Sequence, residues 1–171
     1  MIRSHFFAIP ATVALGLALM PASSPAQQKS MRDQILGAWT ILIVDTVNAD
    51  NTRTPVYGPN PNGTVIFDNS GWYAIDLSRS NMPKFASNNP LQGTPDENKA
   101  IVQGSFSHSG KFEVDEASKT LTFHIRGSSF PNWQGSTQKR PLEILGTEDL
   151  KWTVAQAARG GTLELIWHRA K

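Results

Sequence analysis

The chain contains no cysteine in its 171 residues. That absence excludes disulfide staples, thiolate nucleophiles and sulfur-ligated zinc. Apolar runs are scarce as well. The longest, 8–20, is interrupted by Pro10 and Thr12 and falls short of the roughly 20 residues that cross a bilayer. Charge of one sign is scarce too, with 16 Lys and Arg against 14 Asp and Glu. Lys139-Arg140 is the only adjacent Lys/Arg pair and no aromatic ladder accompanies it, so a nucleic-acid partner is not expected. No G-x-S-x-G, Walker or G-x-G-x-x-G sequence occurs. His108, His124 and His168 have no short ligand spacing, so neither metal nor cofactor is expected.

What is present begins with a leader. Arg3 precedes the apolar run, and Ser24 and Ala26 offer the small side chains that a signal peptidase accepts. Residues 1–26 read as a cleaved signal peptide and 27–171 as one mature domain without a membrane anchor. A disulfide-free exported domain of this size is expected in a bacterial periplasm.

The rest of the chain is punctuated like a β protein. Ser30–Leu36 can make a helical turn or two with Ser30 as cap. Ala38–Val47 is apolar on both faces, which predicts a strand covered on both sides. Residues 48–62 read as a loop. Hairpin strands follow at 63–68 and 71–78. Thr94-Pro95-Asp96-Glu97 has the form of a capping box and predicts a helix over 95–102 inside an otherwise irregular 79–99 segment, either a lid or a solvated crossover. Beyond it, short strands at 105–108, 111–116, 120–127, 138–145, 150–156 and 162–169 are separated mostly by tight turns. Consecutive hairpins without intervening helices predict an all-β, antiparallel up-and-down barrel of eight or nine strands, whose lumen can hold one small ligand.

The candidate site gathers on Thr120–Arg140. His124 shares a polar stripe with Thr122 and Arg126, and its ordinary pKa suits proton transfer. Alternation sets that stripe opposite Leu121, Phe123 and Ile125, leaving open whether it faces lumen or solvent. Arg140 lies on the stripe of Leu142 and Ile144, which should point inward; a guanidinium there could hold a carboxylate or enolate oxygen, or pair with an acidic neighbour at the rim. Tyr73, Phe130 and Trp133 could supply aromatic walls, with amide contacts from Asn132 and Gln138.

These parts resemble the lipocalin-like domain family. Gly37-Ala38-Trp39 looks like its G-x-W opening. Gly71-Trp72-Tyr73, the capped segment Thr94–Glu97, His124 with Ser128–Gly135, Gln138 with Arg140, and Trp167-His168-Arg169 follow in the family's order. The most specific stretch is SSFPNWQG followed by QKR. The chain departs from the family at Phe123-His124, where paired histidines are usual, and at His108, where tyrosine is usual. The resemblance implies a barrel with a pocket, closed at its base by Arg169 packed across Trp39. It also brings His124 back as a lumen candidate. Three functions are therefore expected to compete. The first is binding of a small apolar or amphipathic molecule, with Arg140 and His124 orienting a polar group. The second, which some fungal relatives suggest, is an isomerase or cyclase with His124 as general acid/base and Arg140 as oxyanion stabiliser. The third is docking of a partner protein on the barrel surface.

Overall fold

In the computed structural model, which describes residues 29–155 and 160–171, eight antiparallel strands close on themselves and a ninth is appended. The expected leader lies outside the described residues.

Helix α1 (Met31–Ile35) comes first, capped by the Ser30 hydroxyl, which accepts from the Asp33 amide at 3.0 Å. The Glu116 carboxylate accepts from the amides of Met31 and Arg32, tying the start of α1 to the turn that follows a later strand. Strand β1 (Gly37–Val47) is the seam of the barrel, pairing with β3 (Asn62–Phe67) along its first half and with β9 (Thr162–Arg169) along nearly its whole length. Between these lie β4 (Trp72–Ser78), β5 (Ser105–Asp115), β6 (Thr120–Ser128), β7 (Thr137–Leu145) and β8 (Asp149–Val154), each paired with its sequence neighbour. Helix α2 (Pro95–Gly104) fills the connection from β4 to β5, and both halves of its capping box are made: Thr94 Oγ1 accepts from the Glu97 amide, and Glu97 accepts from the Thr94 amide at 2.7 Å.

The structure corrects three expectations. The 48–62 loop contains a short strand, β2 (Arg53–Pro55), which pairs with Asp45–Val47 and is fastened by Arg53 to Glu164 at 2.6 Å. Strand β1 is apolar on both faces because its register shifts between Ile41 and Ile43, not because both faces are covered. The shift moves the inward set from Trp39 and Ile41 to Val44 and Thr46, leaving Leu42 45% exposed. The expected turn at Ser109-Gly110 is a β-bulge inside one continuous strand. A Cβ on Gly110 would stand 2.0 Å from the His124 carbonyl oxygen, so glycine permits a close backbone approach there.

The two ends of the barrel differ. The base is sealed: Ile35, Trp39, Phe67, Leu150 and Trp167 are almost entirely buried, and Trp167 stacks on Trp152 at 4.9 Å. Arg169 lies over the Trp39 ring at 4.1 Å, as the resemblance implied, and donates to the carbonyls of Gln34 and Leu36. The opposite end carries the β4–β5 connection with α2 and the β6–β7 loop, which contains a single 3-10 turn, Pro131–Trp133.

Candidate functional site

Strand alternation sorts the candidate residues before any distance is measured. On β6, Leu121, Phe123 and Ile125 are buried and point into the barrel. Period two then turns His124 outward. Its side chain is 40% exposed, with Nε2 3.4 Å from Glu113 on the neighbouring strand and Nδ1 3.1 Å from Thr137 Oγ1. The expectation of a lumen-facing His124 is corrected, and the acid/base role that an isomerase or cyclase would give it has no geometry, because the sheet stands between this imidazole and the lumen. Asn132 and Phe130 are exposed on the β6–β7 loop, with Phe130 meeting Trp133 edge-on at 6.2 Å.

Arg140 goes the other way. Gln138, Arg140, Leu142 and Ile144 alternate with the exposed Thr137, Lys139, Pro141 and Glu143, so the guanidinium lies on the inner face of β7. It donates to Gln138 Oε1 and to the Lys139 carbonyl. Opposite it stand Tyr73 from β4 and His108 from β5, with the Tyr73 hydroxyl 2.7 Å from His108 Nδ1.

His108 is the inward-facing candidate residue that the motif reading missed. The signal was there: Phe106, His108, Gly110, Phe112 and Val114 form the inward stripe of β5, and one imidazole sits in the middle of it. Aromatic rings enclose it. Phe123 lies 5.4 Å away, Phe106 5.5 Å, and Trp133 6.0 Å. Phe106 and Trp133 also meet edge-on at 4.9 Å, so the indole caps the cluster from the β6–β7 loop.

Burial dominates the electrostatics here. It holds the His108 imidazole down to about 4, with the nearby Arg140 charge adding to the effect. The Tyr73 phenol is pushed up by burial, a shift that Arg140 partly opposes. Both groups are therefore uncharged near neutrality and are joined by one hydrogen bond. Burial also lowers the Arg140 pKa, with Tyr73 opposing the shift. A guanidinium nevertheless stays protonated at any working pH. The inner wall thus holds one formal positive charge beside a phenol–imidazole pair, in an aromatic enclosure.

Two open grooves lie elsewhere. One, of about 520 Å³, borders Trp39, Leu36 and Arg169 at the base. The other, of about 660 Å³, runs between the crossover and α2, lined by Phe85, Pro90, Ile101 and Val102. Neither reaches Tyr73, His108 or Arg140. The first groove belongs to the structural seal, and the second has only asparagine side-chain amides for polar groups. Among the described residues, no cluster of His, Asp and Glu could hold a metal ion.

The family comparison agrees with the architecture. A family model described as a lipocalin-like domain matches residues 36–170. A relative from Aspergillus oryzae, named a 4'-hydroxy-3'-methoxypropiophenone carrier protein, is 30% identical over 79 residues, spanning 43% of this chain and 71% of that protein. Among solved structures, a redesigned β-barrel is similar at 14% identity with a TM-score of 0.42, covering 84% of this chain and all of the other. With its closed eight-strand barrel and a family match over nearly all the described residues, this chain belongs to the lipocalin-like domain family.

Proposed function

We propose that this protein binds a small amphipathic organic molecule in the upper half of its barrel, as a carrier. The observation that supports this reading is the division of the interior. Below, large side chains fill the tube. Above, half-buried Phe106, His108, Trp133, Gln138 and Arg140 present flat apolar faces and a few convergent polar groups, as small-molecule sites do. The relative named as a carrier of an aryl ketone fits the same reading. Calorimetric titration with 4'-hydroxy-3'-methoxypropiophenone and other monocyclic aromatics is expected to give saturable one-to-one binding. Trp133→Ala should weaken it about tenfold by removing an aromatic wall. Unsaturable binding by the whole panel, or binding indifferent to Trp133, sinks the reading.

We further propose that the carrier acts outside the cytoplasm, in a bacterial periplasm, after removal of residues 1–26. Mass spectrometry of the exported protein should then find Gln27 at its N-terminus. A cytoplasmic product retaining Met1 would refute this.

A further inference from the structure

The charge inventory at the site is unbalanced. Arg140 is half-buried on the inner face of β7, yet it forms no ion pair. Its hydrogen bonds go to Gln138 and to the Lys139 carbonyl, both neutral acceptors. The rest of the chain cannot supply the missing anion. All 14 Asp and Glu side chains lie in the described residues, since 1–28 and 156–159 contain none, and none of them is within ion-pair distance of Arg140. The other polar groups facing it, Tyr73 and His108, satisfy each other across 2.7 Å. A partly desolvated cation costs stability unless it is matched, and a guanidinium carries five donors arranged for a planar, two-oxygen acceptor. The group that matches it must therefore come from outside.

We infer that Arg140 is the anion anchor of the site and that the favoured ligand is an aromatic carboxylate, its ring against Phe106, Phe123 and Trp133 and its carboxylate on the guanidinium. This rests on the reading of the barrel as a small-molecule carrier and sharpens it. The ring contacts would admit many flat molecules. The charge selects among them, so the preferred cargo differs from a neutral ketone of similar shape. The Tyr73–His108 pair borders the carboxylate: one of its two hydrogens lies in the bond between them, and the other, on His108 Nε2 or on the Tyr73 hydroxyl according to the tautomer, is left to meet an oxygen that Arg140 does not cover.

The test is calorimetric titration at pH 7 with 2-naphthoate and with its neutral isostere, 2-naphthamide, using wild type and Arg140→Leu. Leucine continues the stripe of Leu142 and Ile144, so the variant is expected to fold, and its naphthamide affinity serves as the control. The inference expects naphthoate to bind at least about tenfold tighter than naphthamide to wild type, as a charge-assisted pair should. In Arg140→Leu the two ligands should bind alike. Arg140→Lys, which keeps the charge but loses the fork, should retain part of the preference. Equal affinity of both ligands for wild type overturns the inference and leaves the carrier reading standing. A naphthoate preference that survives in Arg140→Leu removes Arg140 from the role. Failure of both ligands to bind wild type overturns the inference together with the carrier reading.

Discussion

Acidifying this protein from pH 7 to pH 4 should lower its unfolding free energy by on the order of 3 kcal/mol through one residue, His108. The sign follows from proton binding in the two states. In the unfolded chain an imidazole titrates near 6.5, whereas burial in the folded barrel holds His108 to about 4. Between those values the unfolded state binds the extra proton and the folded state does not, so stability falls as pH falls. The contribution is intact above about 6.5 and is lost by about 4, below which both states are protonated. Nothing anionic faces the ring to rescue its charged form: its neighbours are the Tyr73 phenol, the Arg140 guanidinium and the rings of Phe106, Phe123 and Trp133. Urea melts of wild type and His108→Phe at both pH values provide the check. Phenylalanine keeps the aromatic contacts and leaves Tyr73 without its partner at every pH, so the variant can be less stable overall yet must show a smaller drop between pH 7 and pH 4. The four carboxylates whose pKa values are lowered by local hydrogen bonds, Asp50, Asp68, Glu97 and Asp115, contribute equally to both proteins and cancel. Identical pH dependence in the two proteins would remove His108 from this account.

The same residue shows where sequence reading succeeds and where it stops. The barrel was legible because period-two alternation and turn residues act locally, and the capping box of α2 because its four residues need only each other. The inward direction of Arg140 followed from Leu142 and Ile144 on the same stripe. His124 was harder. Its stripe could face either way until the burial of Leu121, Phe123 and Ile125 fixed the inner face, and motif resemblance pulled toward the wrong one. His108 went unassigned because Ser109-Gly110 looked like a turn, which cut its strand in two and hid the stripe from Phe106 to Val114. That glycine answers to a backbone on the adjacent strand, at the His124 carbonyl, and no local pattern reports so distant a neighbour. Leu42 fails for a similar reason. A bulge in β1 resets the alternation, and the sequence through it is merely apolar.

Replacing Trp39 by alanine should cost about 3–5 kcal/mol, a large share of the roughly 5–15 kcal/mol that holds a domain together. The indole is 1% exposed and occupies the base of the barrel, where three elements meet on it. Its Nε1 donates to the Ile35 carbonyl at 2.7 Å, fixing α1 across the opening. Arg169, its register partner on β9, lies flat over the ring and donates to two further carbonyls of the α1 segment. Truncation therefore leaves a cavity, unpairs a buried carbonyl and takes away the surface on which the guanidinium rests. Trp39→Phe should be milder, about 1–2 kcal/mol, since it retains a ring under Arg169 but loses the hydrogen bond. A double-mutant cycle with Arg169→Ala should return a coupling of about 1–2 kcal/mol, the share belonging to the stacked pair alone. Chemical denaturation measures all three. The decisive control is ligand affinity, because Trp39 in the seal and Trp133 on the β6–β7 loop lie at opposite ends of the tube. Trp39→Phe, still folded, should bind aromatic ligands with unchanged affinity, whereas Trp133→Ala should bind them weakly at little cost in stability. If Trp39→Phe loses binding while remaining folded, the two ends are coupled and the division of the interior into a packed base and a ligand-binding mouth is wrong.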